Sequence, residues 1–275
     1  MSIAGNDALS VAARPTSPVT GPSPLLTVDA LCKNFGGVRV LEKTTFTLPE
    51  GQVTCLVGPN GAGKTTAFDC ITGFLSFDAG SIRLRGDDLT GLGRGEIVQR
   101  GIARSFQNLR LFDEMSVIDN VVVCLADEAG NDPLTAIFRP FHSAALLRRK
   151  RAQALSILEQ VGLVHKAEDL VTQISYGQQK LLCIARVLAT DADLLLLDEP
   201  TSGLSATALD NMVKVIAGLS KSGKTLLVVE HNTRIVRDIA DRIVFMHQGR
   251  VLAEGAPQDV LDRADLIEIY FGGGH

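Results

Sequence analysis

A glycine-rich segment at residues 58–66 constrains the fold of this chain more than any other part of the sequence. It follows the pattern G-x-x-x-x-G-K-[ST] of a phosphate-binding loop. Glycines allow the backbone to curl so that its N–H groups reach phosphate oxygens. The lysine supplies a positive charge for the β- and γ-phosphates, and the Thr65 hydroxyl can ligate Mg²⁺. We expect nucleotide contacts from all of its residues: Gly58, Pro59, Asn60, Gly61, Ala62, Gly63, Lys64, Thr65 and Thr66.

The segments on either side of this loop favour a phosphate site over a chance glycine-rich turn. A strand-like run at residues 52–57 precedes the loop, and a helix-like run at residues 66–72 follows it. Phosphates would therefore also face the N-terminus of a helix, where unpaired N–H groups and the helix dipole attract anions.

A run of four leucines followed by two acids supplies a second half of the site. Residues 194–197 are all leucine, and Asp198 and Glu199 come next. This pattern predicts a buried strand that emerges at its carboxyl end, where open α/β sheets bind ligands. We expect Asp198 to hold Mg²⁺ directly or through water, and Glu199 to polarise the attacking water as a general base. The alternative is a pair of solvated acids, which the nearby phosphate loop disfavours.

Composition excludes several classes of protein. The chain has 275 residues, 45% of them hydrophobic, and a net charge of −4, so it can bury a large core. No basic stripe indicates a nucleic-acid partner; the cluster at residues 148–151 is expected to solvate a helix face or touch a partner. No apolar run approaches the ~18–20 residues that span a bilayer. Five scattered cysteines without a C-x-x-C motif favour a cytosolic, reducing location.

Along the chain, residues 1–24 are rich in proline and small polar residues and are predicted to be a disordered tail. Early strands at 26–31, 38–41 and 45–48 suggest an antiparallel sheet. From residue 178 onwards, apolar strands alternate with helices, which predicts a largely parallel sheet. A long helix is predicted at 142–161, with an apolar stripe formed by Leu146, Leu147, Ala154, Leu155, Leu158 and Val161.

The segment Ile174-Ser175-Tyr176-Gly177-Gln178 resembles the L-S-G-G-Q signature of ABC ATPases, and the resemblance extends from Leu25 to the end of the chain. It implies an α/β fold of the ABC type. In that fold a P-loop nucleotide-binding domain at residues 25–275 has a mostly parallel sheet core, an antiparallel β subdomain and a helical subdomain at about 108–177. In this family the signature contacts the γ-phosphate held by a second chain, which would be the role of Ser175, Gly177 and Gln178.

Further residues acquire roles through the same resemblance. Phe35 is similar to the aromatic residue that stacks on adenine, Gln107 to the glutamine that senses Mg²⁺ and water, and His231 to the histidine near the γ-phosphate. Two positions depart from the usual pattern. Tyr176 replaces the first glycine of the signature. Ser205 stands where many members carry an aspartate, so no carboxylate role is expected there.

The combination of motifs most resembles the ATP-binding subunits of branched-chain amino acid importers, the Liv type. This implies ATP and Mg²⁺ as cofactors and a second ATPase chain packed head to tail. It also implies two transmembrane permease subunits, an extracytoplasmic solute-binding protein and a peripheral place at the cytoplasmic face of the inner membrane. Alternatives are a lipid or lipopolysaccharide exporter, a urea or amide importer, a soluble ABC protein of translation or DNA repair, and a degenerate regulatory subunit.

Overall fold

The computed structural model describes residues 24–106, 109–125 and 140–271 of the chain. Predictions for the N-terminal tail up to residue 23, for Gln107, for the loop at 127–139 and for residues 272–275 lie outside these ranges. The described strands are β1 (Leu26–Phe35), β2 (Val38–Leu48), β3 (Val53–Val57), β4 (Ala79–Leu84), β5 (Asp87–Asp88), β6 (Ile102–Arg104), β7 (Leu194–Asp198), β8 (Thr225–Val229), β9 (Arg242–His247) and β10 (Arg250–Gly255).

Helices flank these strands. The described helices are α1 (Lys64–Ile71), α2 (Arg94–Gln99), α3 (Val117–Val122), α4 (Pro140–Gln160), α5 (Tyr176–Leu188), α6 (Ala206–Lys221), α7 (Thr233–Ile239), α8 (Pro257–Leu261) and α9 (Ala264–Phe271). Two short 3₁₀ turns, Val164–Lys166 and Val171–Gln173, lie between α4 and α5. In the part of the chain that the structure describes, none of the helices is both long and apolar enough to cross a membrane.

The central sheet has the strand order β10-β9-β3-β8-β7-β6. Strand β3 pairs in parallel with β8 and β9, and β7 pairs in parallel with β6 and β8, whereas β10 is antiparallel to β9. Every residue of β3, β7 and β8 is buried. Their mostly apolar sequences, which do not alternate with polar residues, are therefore explained by a sheet that is covered on both faces. The predicted mostly parallel core is confirmed.

A second, antiparallel sheet has the order β2-β1-β4-β5, which confirms the predicted antiparallel part. The two separate strands predicted at 38–41 and 45–48 are one strand, β2. The prediction failed because the polar residues in the middle read as a break. They form an irregularity instead: the register with β1 shifts between Leu31 and Lys33, and Lys43 has a φ of +50°. A bulge of this kind bends a strand without ending it.

The predicted stripe on the long helix α4 is only partly buried. Ala154, Leu158 and Val161 are fully buried against α3 and α5, but Leu147 and Leu155 are exposed. Leu155 follows Ala154 by one residue and so lies about 100° round the helix. Leu147 lies two turns before Ala154, and Ala154 is the first fully buried side chain among the described residues of α4.

The five cysteines are free thiols, and three of them are buried. Burial raises the pKa of Cys70 to about 11 and that of Cys183 to about 11. These thiols therefore stay protonated at neutral pH and behave as small apolar side chains.

Candidate functional site

The phosphate loop joins the carboxyl end of β3 to α1, and its glycines are required by close packing. Gly58 has a φ of +148°, and a Cβ at this position would lie 2.0 Å from the carbonyl oxygen of Met246 in β9. Gly63 has a φ of +98°, and its Cβ would lie 2.8 Å from the carbonyl oxygen of Val40. The loop can hold its curled conformation only because these two residues lack side chains.

Lys64, the first residue of α1, is buried inside the curl of the loop. Its Nζ donates hydrogen bonds to the carbonyl oxygens of Gly58 at 2.7 Å and Pro59 at 2.9 Å. Burial lowers the pKa of Lys64, while the charges of Glu199 and Asp198 act in the opposite direction. A desolvated ammonium group within a ring of backbone amides is a suitable environment for phosphate oxygens, so the loop fits the predicted nucleotide.

Glu199 and His231 come from separate sequence motifs and meet in the structure. Glu199 directly follows β7, His231 lies two residues after the end of β8, and His231 Nε2 lies 2.7 Å from Glu199 Oε1. The backbone of Glu199 is left-handed, with a φ of +47°. This conformation is held by hydrogen bonds on both sides: its N–H donates to Val229 O at 3.0 Å, and its carbonyl accepts from Lys180 Nζ at 2.8 Å.

The motifs do not predict that Lys180 approaches Glu199. Lys180 lies in the first half of α5 and is 5% exposed, and burial lowers its pKa. A sequence signal existed, because Lys180 stands four residues before Ile184 and so shares its buried helix face. A lysine on an apolar face needs a polar partner, but the sequence could not say which partner it has.

Asp198, the last residue of β7, is held by a second unpredicted residue, Arg104 in β6. The guanidinium group donates to Asp198 Oδ2 at 2.8 Å and also pairs with Asp69 of α1. Both Arg104 and Asp198 have side chains that are 8% exposed. The Arg104 guanidinium also lies over three aromatic rings, at 5.5 Å from the centroid of Phe68, 5.9 Å from that of Phe74 and 5.6 Å from that of Phe106. An arginine that directly follows the apolar residues of a short strand was the signal that could have identified it.

Glu230, between β8 and His231, is a third buried charged group that the motifs did not indicate. It is 3% exposed, and its Oε1 accepts hydrogen bonds from the Thr201 N–H at 3.1 Å and the Thr201 hydroxyl at 2.6 Å. Burial raises the pKa of Glu230, and these hydrogen bonds act against it. Glu230 therefore ties the segment after β7 to the segment after β8.

Oxygen donors suited to Mg²⁺ are present near the loop. Asp198 offers a carboxylate and Thr65 an exposed hydroxyl, which are hard ligands of the kind that Mg²⁺ prefers. The described residues contain no group of three or more His, Cys, Asp or Glu side chains that could hold a metal ion by themselves. A Mg²⁺ ion here would need phosphate oxygens and water as further ligands, which is its usual mode in nucleotide sites.

The signature residues form an internal capping box at the start of α5. The Ser175 hydroxyl accepts from the Gln178 N–H at 3.3 Å, and Gln178 Oε1 accepts from the Ser175 N–H at 2.9 Å. Both hydrogen bonds join Ser175 and Gln178, so neither involves the phosphate loop of the same chain. A Cβ on Gly177 would lie 2.8 Å from Ala208 Cβ, so α5 and α6 approach closely at this glycine.

Phe35, the predicted adenine platform, lies at the end of β1 and is 46% exposed. Lys33 Nζ lies 5.3 Å from the centroid of its ring. An aromatic face of this kind is available for stacking on a base.

Fold and site together define a P-loop nucleotide-binding domain of the α/β class. A sequence profile of the ABC transporter family matches residues 41–202. The chain is 37% identical over 254 residues to the high-affinity branched-chain amino acid transport ATP-binding protein BraF of Pseudomonas aeruginosa, covering 90% of this chain and 98% of BraF. It is 37% identical over 250 residues to the arginine transport ATP-binding protein ArgV of Corynebacterium glutamicum, covering 86% of this chain and 93% of ArgV.

A crystal structure in the ADP conformation of MJ1267, an ATP-binding cassette of an ABC transporter, superimposes with a TM-score of 0.77 at 29% identity. The match covers 91% of this chain and 99% of MJ1267. The chain belongs to the ABC transporter family, and within that family it is an ATPase subunit.

Proposed function

We propose that this chain hydrolyses ATP to power the import of branched-chain or other amino acids through separate membrane subunits. The observation that carries the ATPase part is the 2.7 Å contact between His231 and Glu199, at the same sheet edge as Lys64 and Asp198. The substrate class is supported by the names of the relatives, since BraF is a branched-chain amino acid transport protein and ArgV an arginine transport protein.

In the proposed reaction, the phosphates are bound by Lys64 and the backbone N–H groups of residues 58–66, and Phe35 stacks on adenine. Thr65, Asp198 and Gln107 would hold Mg²⁺, which neutralises charge on the β- and γ-phosphates when bound. Glu199 Oε2 accepts a proton from the attacking water, while Oε1 remains hydrogen-bonded to His231. His231 thereby fixes the direction of the Glu199 carboxylate.

The second nucleotide contact would come from another ATPase chain. Ser175, Gly177 and Gln178 make their hydrogen bonds within α5 and lie at its N-terminus, which can face an anion. A head-to-tail pair of chains would place this N-terminus on the γ-phosphate held by the partner. The partner can be a second copy or a related ATPase. The contact would not depend on a carboxylate at position 205, because the residue there is Ser205, whose hydroxyl caps α6.

An exposed apolar surface supports docking to membrane subunits. Val98 is 43% exposed and lines a groove together with Arg110 and Arg186. Phe112 is 47% exposed, and its ring centroid lies 5.2 Å from the Arg186 guanidinium. Val123 is 51% exposed and directly precedes Cys124, which also lines the groove. Exposed apolar groups at a groove between helices are typical of a protein interface. We propose that two permease subunits dock here and that a helical subdomain at about 108–177 moves with them. The chain would then lie peripherally on the cytoplasmic face, with a solute-binding protein on the other side.

Reconstitution tests this function. The chain is assembled with the permease subunits that co-purify with it, in liposomes that contain ATP. Uptake of leucine, of arginine and of urea is measured, and extraction of lipopolysaccharide is measured separately. ATP-dependent uptake of an amino acid, abolished by Glu199→Gln, is expected. ATP-dependent lipid extraction without amino acid uptake would overturn the importer assignment and retain the ATPase.

A further inference from the structure

The C-terminal helix α9 reaches the catalytic edge of the sheet through Tyr270. The Tyr270 hydroxyl donates a hydrogen bond to the main-chain carbonyl oxygen of His231 at 2.5 Å. Its ring packs against Phe245 of β9, with the ring centroids 6.2 Å apart and the planes tilted by 55°. The ring therefore anchors α9 on the central sheet, and the hydroxyl extends beyond it to His231.

The main chain of His231 is consequently held through both its N–H and its carbonyl group. Its N–H donates to Glu230 Oε2 at 3.3 Å, its carbonyl accepts from Tyr270, and its imidazole bonds to Glu199. The next residue, Asn232, caps α7 by accepting from the Arg234 N–H at 3.0 Å. On the C-terminal side of His231, the start of α7 is therefore held by Asn232, and the peptide group between His231 and Asn232 is held by Tyr270.

We propose that Tyr270 is a positioning residue for ATP hydrolysis, which fixes the main chain of His231 and through it the imidazole against Glu199. This inference rests on the proposed roles of Glu199 and His231. Burial raises the pKa of Tyr270, and the nearby charge of Glu230 raises it further. The hydroxyl therefore remains protonated and able to donate throughout the physiological pH range.

The substitution Tyr270→Phe removes the hydroxyl and keeps the ring that packs on Phe245. We expect kcat for ATP to fall about threefold to tenfold, the effect of one neutral hydrogen bond, with KM unchanged. The control is Ile267→Ala on the same helix, whose side chain is 43% exposed and is expected to leave kcat unchanged. If Tyr270→Phe raises KM with kcat unchanged, or lowers kcat no more than Ile267→Ala does, the proposal is wrong.

A double-mutant cycle separates positioning from a general structural effect. In a His231→Ala background, Tyr270→Phe is expected to cause no further loss of kcat, because the hydroxyl acts through His231. An equal loss in both backgrounds would show that Tyr270 acts elsewhere.

NMR spectroscopy of the nucleotide-free protein tests the same distinction. The imidazole NMR signals of His231, assigned among the five histidines by the His231→Ala variant, are expected to shift or broaden in Tyr270→Phe and to stay unchanged in Ile267→Ala. If the wild-type chain does not hydrolyse ATP, the proposed function fails. If it does and the His231 signals are the same in both variants, only the role of Tyr270 fails.

Discussion

Arg104 shows how a buried residue can control a site that it does not enter. Its guanidinium pairs with Asp198 and Asp69, from β7 and α1, and contacts three aromatic rings. Arginine suits this position because a planar fork can bond two carboxylates and stack on rings at once, which an ammonium group cannot do. Arg104 thereby orients the carboxylate that we propose as a Mg²⁺ ligand.

The variant Arg104→Lys keeps the charge and loses this double contact. In the wild type, Mg²⁺ is expected to increase the affinity for ADP. In Arg104→Lys we expect this increase to be about tenfold smaller, because residues that orient metal ligands commonly contribute that much to metal affinity. Binding of ADP without Mg²⁺ is expected to change little. The measurement is a titration of a fluorescent ADP analogue at increasing Mg²⁺ concentration.

The matched control is Arg94→Lys, because the Arg94 guanidinium lies over the same Phe74 ring at 4.4 Å from its centroid. Equal losses of Mg²⁺ dependence in the two variants would contradict a specific role for the Asp198 contact.

Glu230 predicts a pH dependence of stability. Its folded-state pKa is raised by burial, so between the usual glutamate pKa and this raised value the native chain binds more protons than the unfolded chain. The free energy of unfolding contributed by this group therefore falls as pH rises through that window. Glu230→Gln, which carries no charge, is expected to flatten this slope. Urea unfolding at pH 5 to 8 measures the difference, and identical slopes in both proteins would refute the prediction.

At the residue scale, the sequence predicts groups whose chemistry is local to a motif. Lys64, Asp198 and Glu199 lie at or next to the ends of elements, so a local pattern identifies them, whereas the role of His231 is indicated by the resemblance to the family. Arg104, Lys180 and Glu230 are defined instead by partners from distant segments, and no spacing rule reports those contacts. The 2.7 Å bond between Glu199 and His231 is also a tertiary fact, since it joins the ends of neighbouring strands.

At the scale of elements, the turn between β9 and β10 connects the two sheets. The Gly249 carbonyl accepts from the Glu42 N–H at 2.9 Å and the Thr44 hydroxyl at 2.5 Å, and the Gly249 N–H donates to Ala62 O at 3.0 Å. A Cβ at Gly249 would lie 2.3 Å from Val40 O, and its φ is +73°. This turn therefore holds β2 against the phosphate loop through a glycine that cannot be replaced without movement.

Gly249→Ala is expected to lower the free energy of unfolding by about 2–3 kcal/mol more than Gly223→Ala. Gly223 also has a positive φ, +92°, but nothing lies within 4 Å of its hypothetical Cβ, so that variant reports backbone strain alone. Denaturant unfolding of both proteins measures the difference. Similar losses would mean that crowding at Gly249 is relieved by small shifts.

Prediction of elements from the sequence succeeded where an apolar run was long and strong, and it failed for short segments without such a run. The buried strands β3 and β7 have mostly apolar sequences, and their predicted positions agree with the structure to within a residue or two. The helices α2, α8 and α9 were not predicted, because short segments carry little periodic signal. α9 is defined by its packing on β9 rather than by its own pattern, and the contact of Tyr270 with His231 could not be read from it.

At the scale of the whole molecule, nucleotide and assembly are expected to be linked. If each ATP is held between two chains, Glu199→Gln should bind ATP, fail to hydrolyse it and accumulate a dimer. Lys64→Ala should lose nucleotide binding and remain a monomer under the same conditions. Light scattering after gel filtration with ATP and Mg²⁺ measures both. Turnover near that of the wild type in Glu199→Gln would rule out the general-base role.

The strand order has a consequence for how the chain acquires its structure. Strand β3, which carries the phosphate loop, lies between β8 and β9, and Val53 pairs with Leu226. Closing such a long stretch of chain is entropically costly and slow. The first half of the protein, as it leaves the ribosome, thus presents a strand that the native fold buries completely, with both of its edges open. We expect nascent chains of this protein to depend on chaperones until β8 and β9 have been synthesised.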